Sequence, residues 1–247
     1  MPRLQVETAL LHAETPMLPQ GAAIHLRILR PTDGEEFELF DGKGHWRIYV
    51  WHGGLTAVAP LQKEAPPTRT LTLFACVTKG SRWDWTIEKA TELGVNRIVP
   101  VISDRTIVRL SPEERALKKS RWLRVAEDAV RQSDSRWIPE VFEATDFKDC
   151  LPLVKASTCF IGALTDPPAM PLATAIALRR RLEHERGVAA TDYSVFIGPE
   201  GDLTPRELAA LMKVATPTNF GSRILRAETA AIYALSVLTS TLNTQLA

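Results

Sequence analysis

Two stretches near the end of the chain decide how it reads: Phe196-Ile197-Gly198-Pro199-Glu200-Gly201, and further on Phe220-Gly221-Ser222-Arg223-Ile224-Leu225-Arg226-Ala227-Glu228-Thr229. Each is a glycine turn between an extended segment and a helix, which lets backbone amides and carbonyls come close to a ligand. Tyr193 to Ile197 has the length and apolar character of a buried strand, and Gly198 to Asp202 breaks it. Thr204, Pro205 and Glu207 then predict a helix start: an N-cap, a proline at the first helical position and a capping-box carboxylate. A βα connection of any function favours Gly and Pro, so the second stretch carries more weight. Arg223 and Arg226 stand beside Gly221 at the start of a helix whose apolar residues Ala231, Ile232, Leu235, Leu238 and Leu242 recur at helical spacing. The helix dipole favours anions there, so Glu228 fits a plain helix start while two arginines do not. Two such turns predict one cofactor pocket.

Working outward, strands and helices alternate from residue 71 onward. Leu71 to Val77 reads as a buried strand, Asp84 to Leu93 as a helix closed by Gly94, and Arg97 to Ile102 as a second strand. Ser111-Pro112-Glu113-Glu114 opens another helix, with Trp122, Val125, Ala126 and Ala129 as its apolar stripe. Cys159 to Leu164 reads as a strand and Leu172 to Glu185 as a helix. Such alternation predicts an α/β layer on a mostly parallel sheet. The first 62 residues read instead as short strands, Phe37 to Phe40, Trp46 to Trp51 and Leu55 to Ala59, separated by glycine turns, which suggests a small β-barrel. The polar, proline-bearing stretch Lys63 to Thr68 is the expected linker, giving domains 1-68 and 69-247.

Composition narrows the class. The chain has 247 residues, 45% hydrophobic and 24% charged, ordinary values for a globular protein. No apolar run reaches membrane-spanning length, and the N-terminus lacks a signal-peptide core, so a cytoplasmic protein without a membrane partner is expected. Cys76, Cys150 and Cys159 are odd in number and far apart, which argues against disulfides and zinc; they are expected to be reduced, mostly buried thiols. His12, His25, His45, His52 and His184 lie outside both motifs, and no metal spacing occurs. The net charge is only +1, but residues 97 to 136 hold ten Lys or Arg against six Asp or Glu. That excess is either a solvated helix face or a set of phosphate contacts.

The motifs resemble the RsmE-type family, which methylates N3 of a uridine in bacterial 16S ribosomal RNA with S-adenosylmethionine. The likeness extends to Arg82-Trp83-Asp84-Trp85-Thr86-Ile87-Glu88-Lys89-Ala90-Thr91-Glu92-Leu93-Gly94-Val95 and, in the N-terminal region, to Met1-Pro2-Arg3, His25 to Arg30 and Phe40-Asp41-Gly42. The family usually has Gly where Asp202 stands, Leu where Phe220 stands and Glu where Arg131 stands. Asp tolerates a left-handed backbone better than most residues.

This resemblance implies a PUA/OB-like N-terminal β-barrel and a C-terminal SPOUT α/β domain with a trefoil knot, the two motifs being the knot loops. It implies S-adenosylmethionine held by Ala163, Leu164, Ile197, Gly198, Pro199, Glu200, Gly201, Phe220, Gly221, Ile224, Leu225, Arg226 and Thr229. The chemistry falls to Arg223, Arg226 and Glu228. Uracil N3 loses its proton and the charge spreads onto O2 and O4, which arginine donors stabilise; Glu228 either takes the proton or orients an arginine. RNA contacts fall to Arg3, His25, Arg27, Arg30, Arg82, Arg131 and Arg136. The implied partners are 16S rRNA or the small ribosomal subunit and a second copy of the chain, with no metal. Two rivals stay open: methylation of another RNA site, and an rRNA-binding assembly factor without catalysis.

Overall fold

The computed structural model describes residues 1–163, 165, 167–187 and 190–243. Two compact units divide the chain: Met1–Pro67 with Glu127–Ile138, and Thr68–Ala126 with Pro139–Ala247. No composition shift marks the twelve-residue return of the chain to the first unit.

In the first unit β1 (Arg3–Gln5), α1 (Gln20–Leu29), β2 (Glu36–Phe40), β3 (His45–Trp51), β4 (Leu55–Ala57) and β5 (Gln62–Lys63) follow in order. Parallel pairing joins β1 to β2, while β2–β3, β3–β4 and β3–β5 are antiparallel, a five-stranded mixed sheet. Phe37 and Leu39 point to one face, where Leu4, Val6, Leu11, Leu26, Tyr49 and Leu55 complete the core. The helix α1 corrects the reading of this region as strands alone. Leu26 is buried on it while Ile24, Ile28 and Leu29 are exposed.

The second unit contains β6 (Thr70–Cys76), α2 (Ser81–Glu92), β7 (Arg97–Ile102), α3 (Pro112–Gln132) up to Ala126, β8 (Glu140–Val141), β9 (Thr145–Asp146), α4 (Phe147–Lys155), β10 (Thr158–Gly162), α5 (Leu172–Glu185), β11 (Asp192–Ile197), α6 (Pro205–Leu211), β12 (Thr216–Thr218) and α7 (Ala227–Asn243). Its seven-stranded sheet runs β12-β10-β11-β6-β7-β8, with β9 also on β7, and every pairing is parallel. Both faces are covered, as a parallel sheet requires. Leu71, Leu73, Ala75 and Val77 turn to the face shared with Trp83, Ile87, Trp122, Ile176, Ala231 and Leu235. Phe74 and Cys76 turn to the other, with Phe147, Cys150, Val154, Cys159 and Leu211. Burial pushes the thiols of Cys76, Cys150 and Cys159 up to about 12, which leaves them unreactive packing groups.

The helix starts read from the sequence are formed. Thr204 caps α6 through a capping box with Glu207 at its third helical position. Ser111 and Glu114 exchange the same pair of bonds ahead of α3. The apolar stripe of α7 is spent inside the chain: Ala231, Leu235, Leu238 and Leu242 pack into the core against the sheet. Among the described residues, no helix is long and apolar enough to cross a membrane.

Candidate active site

Because all strands of the second unit are parallel, the loops that follow β10, β11 and β12 leave the sheet at its C-terminal edge, where α/β folds bind ligands. After β11 the chain turns at Gly198-Pro199-Glu200-Gly201, closed by the Asp202 N–H donating to the Pro199 carbonyl at 2.9 Å. Asp202 takes the left-handed conformation (φ 60°) and its Oδ1 accepts from the Leu203 N–H at 2.8 Å. The aspartate therefore serves the turn in the conformation expected of a glycine. From behind, Arg105 donates to the Gly201 carbonyl at 3.1 Å, and buried Glu207 accepts from the Asp104 N–H at 2.9 Å.

After β12 the chain lies against the segment that follows β10. The Ala163 N–H donates to the Thr218 carbonyl (3.0 Å), the Asn219 N–H to the Met170 carbonyl (2.8 Å) and the Leu172 N–H to the Asn219 carbonyl (3.1 Å). Asn219 Oδ1 accepts from the Gly221 N–H at 2.6 Å, and Gly221 has φ +114°, which favours glycine. Phe220 folds over Gly162, where a Cβ would stand 2.6 Å from the ring, and packs against Tyr233 with centroids 5.6 Å apart.

These loops enclose a cavity of about 380 Å³. Its wall contains ten of the expected cofactor residues: Ala163, Ile197, Gly198, Pro199, Glu200, Phe220, Gly221, Ile224, Leu225 and Arg226; Arg223 also lines it. Gly201 and Thr229 are not in the wall, because Gly201 faces Arg105 and Thr229 is an exposed residue of the first turn of α7. Leu164 lies outside the described residues. Gly162, Thr218 and Asn219 also line the cavity without having been read from the sequence; only the pairing of β12 with β10 brings them there. Glu228 also stands outside the wall, in the first turn of α7, with Oε2 buried and no hydrogen-bond partner among the described residues.

The expected RNA contacts separate into two groups. Arg3 is only 8% exposed; it donates to Glu38 (2.9 Å), the Val130 carbonyl (2.8 Å) and the Ser135 carbonyl (2.7 Å), and its guanidinium lies over the Phe40 ring. Arg136 holds the other oxygen of Glu38 at 2.7 Å, reaches Glu64 and stacks on Trp46. Arg3 is spent inside the first unit, whereas Arg136 pairs with Glu38 and Glu64 while a fifth of its side chain stays exposed. Arg27 and Arg30 are exposed on α1 and its end. His25 and Arg131 line a groove of about 960 Å³ in the same unit, Arg131 also pairing with Asp128. Arg82 is exposed at the start of α2, its Nη1 3.5 Å from Glu200 Oε1. Much of the central charge excess is partnered: Arg115 with Asp146, Arg121 with Asp84, Arg97 with Glu140 and Asp192. Among the described residues, no group of three or more His, Cys, Asp or Glu side chains is arranged to hold a metal.

A family model described as an RNA methyltransferase domain matches residues 64–239. Ribosomal RNA small subunit methyltransferase E of Bacillus subtilis is 30% identical over 162 residues, 65% of this chain and 61% of that protein's length. The Aquifex aeolicus protein of the same name is 29% identical over 90% of this chain and 93% of its own. Among solved structures, a ribosomal RNA small subunit methyltransferase E from Neisseria gonorrhoeae bound to S-adenosylmethionine superposes with a TM-score of 0.79 at 27% identity, covering 97% of both chains. A Legionella pneumophila protein in complex with the same cofactor gives 0.75 at 25% identity over 96% of each.

Proposed function

The chain belongs to the RNA methyltransferase domain family, and from that premise we propose that it transfers methyl from S-adenosylmethionine to N3 of a uridine in 16S ribosomal RNA of the small subunit. The observation that carries this reading is the cavity framed by both glycine turns, with Arg223 and Arg226 in its wall. At about 380 Å³ it falls within the roughly 300–1,000 Å³ of small-molecule sites. Its lining fits the cofactor chemically. Bare backbone at Gly162, Gly198 and Gly221 meets polar groups, Phe220, Ile197 and Leu225 offer apolar surface, and Glu200 offers a carboxylate to a cationic ligand.

The sulfonium, when bound, supplies an electrophilic methyl group. The rest of the chemistry falls to this chain: Arg223 and Arg226 would donate to uracil O2 and O4 while N3 gives its proton to solvent water, and the N3–C bond would form as the cofactor's S–C bond breaks. Glu228, whose buried Oε2 has no partner among the described residues, is read as the group that would orient Arg226 when substrate binds. On this mechanism Arg226→Ala lowers turnover roughly 100-fold or more, the scale of one lost oxyanion donor, with cofactor affinity changed far less. The Arg226→Ala/Glu228→Gln double variant is then hardly worse than Arg226→Ala alone. Equal losses of turnover and cofactor binding would refute the assignment.

Finer parts of the reading rest on the resemblance. The mixed sheet of the first unit is read as a PUA-like barrel that holds RNA through Arg27, Arg30, His25 and Arg131. The bonds between residues 163–172 and 218–219 support a trefoil knot; an experimental chain trace that pulls straight from both ends would refute it. A homodimer working in the cytoplasm is proposed on the same ground, and sedimentation of an active monomer would overturn the dimer. Mass spectrometry of small-subunit RNA from a deletion strain, with and without added protein, tests the activity. Methyl uridine at another RNA site, or no methylation, would favour the rivals.

A further inference from the structure

Within the second unit, the turn between β6 and α2 carries groups that the cofactor cavity does not use. Lys79 is exposed and its ammonium has no partner among the described residues. Gly80, at φ 71°, is the N-cap of α2, and no side chain caps that helix. Thr78, two residues before Gly80, is buried, with Oγ1 unpartnered. Arg82 follows in the first turn. Trp85, three residues on and so on the same side of α2, leaves 43% of its surface exposed. From the loop after β7, exposed Arg105 spends one N–H on the Gly201 carbonyl, while Arg82 stands 3.5 Å from Glu200. Two guanidinium groups, one from α2 and one from the loop after β7, thus flank the same Glu200-Gly201 turn, one residue of which lines the cavity.

An exposed indole on the Arg82 side of α2, with an uncapped helix N-terminus and cations at Lys79 and Arg105, is a surface that something anionic and flat can cover. A single-stranded nucleic acid offers both features: phosphates for the cations and free helix N–H groups, and a base face for the indole. We propose that Lys79, Arg82 and Arg105 bind backbone phosphates of the single-stranded RNA flanking the reacting nucleotide, with Trp85 as the stacking surface for one of its bases. This rests on the activity proposed above and names how that same site holds its substrate.

The test uses the full chain and a short single-stranded oligoribonucleotide, with binding measured across a salt series and no methyl transfer required. Lys79→Ala/Arg105→Ala should lower the slope of log affinity against log salt by about 1.4, two phosphate contacts at roughly 0.7 each. Trp85→Ala should weaken binding about five- to 150-fold with the slope unchanged, the range for a lost base stack, and Trp85→Phe should recover most of it. Inorganic phosphate should compete with the oligonucleotide on the wild type and lose that effect in the double variant. S-adenosylmethionine affinity, read by calorimetry, should be the same in Trp85→Ala and Trp85→Phe as in the wild type. Unchanged slopes overturn the proposal, as does phosphate binding that leaves oligonucleotide affinity untouched. A wild-type dimer that Trp85→Ala turns into a monomer assigns this face to a second copy and overturns it too. The changed slopes in a protein that methylates no RNA would support the surface and refute the activity.

Discussion

Gly162→Ala probes the cavity through one contact. A Cβ at position 162 would stand 2.6, 2.8 and 3.0 Å from three ring carbons of Phe220, so the ring must retreat by about 0.8 Å to reach the 3.4 Å of ordinary contact. Tyr233 packs against that ring at 5.6 Å between centroids, and Phe220 itself lines the cavity, so displacement reshapes the cofactor wall. Overpacking of this kind costs about 1–3 kcal/mol. Expressed wholly in ligand affinity, that is roughly a five- to 150-fold weaker S-adenosylmethionine complex. Calorimetry on the purified chain reads the affinity, and thermal unfolding checks that the fold survives. In a Phe220→Ala background the same glycine substitution should cost almost nothing, because the clashing ring is gone. Unchanged cofactor affinity in Gly162→Ala, or an equal loss in both backgrounds, would refute the reasoning.

Glu38, 1% exposed, is held between Arg3 and Arg136, so Glu38→Gln should destabilise the first unit by about 3–5 kcal/mol, read in urea unfolding. Arg3→Ala should likewise lower stability yet leave the salt dependence of RNA binding as it was; a shallower slope would return Arg3 to the RNA surface. At Asp41 burial opposes ionisation, but bonds from the Lys43 N–H, the Thr8 hydroxyl and the His45 N–H and ring outweigh it and hold the carboxyl below its ordinary value. A depressed folded value stabilises above the unfolded one and is lost as pH falls through it. Asp41→Asn should therefore cost about 1.5–3 kcal/mol near pH 7, the scale of a bond to a charged group, and progressively less in acid; a pH-independent difference would contradict this. Asp202→Gly should be close to neutral, trading one side-chain bond for backbone ease, whereas Asp202→Ala should lose about 1–3 kcal/mol at its left-handed backbone position, both read in Tm.

Local signals were sufficient for much of this protein. Strand β7 and helix α5 fall where the residue pattern puts them, and the Thr204–Glu207 and Ser111–Glu114 boxes need only neighbours three residues apart. The two glycine turns were legible for the same reason: left-handed or close-approach backbone limits which residue can stand there, and that limit is written in the residue itself. The family resemblance then linked the turns to one cofactor.

Position in sequence could not say where a charge or an apolar stripe would be spent. Arg3 looks like any exposed cation until Glu38, thirty-five residues away, and the carbonyls of Val130 and Ser135 close around it. The stripe of α7 suits a subunit interface as well as a core, and only its packing against the chain's own sheet distinguishes them. Gly162, Thr218 and Asn219 carry no motif, yet the parallel pairing of β12 with β10 sets them in the cavity wall. Helix, turn and cap follow from bonds a few residues long, which the sequence by itself determined. Burial, ion pairing and the closing of a pocket depend on partners distant along the chain, and those only the tertiary structure decided.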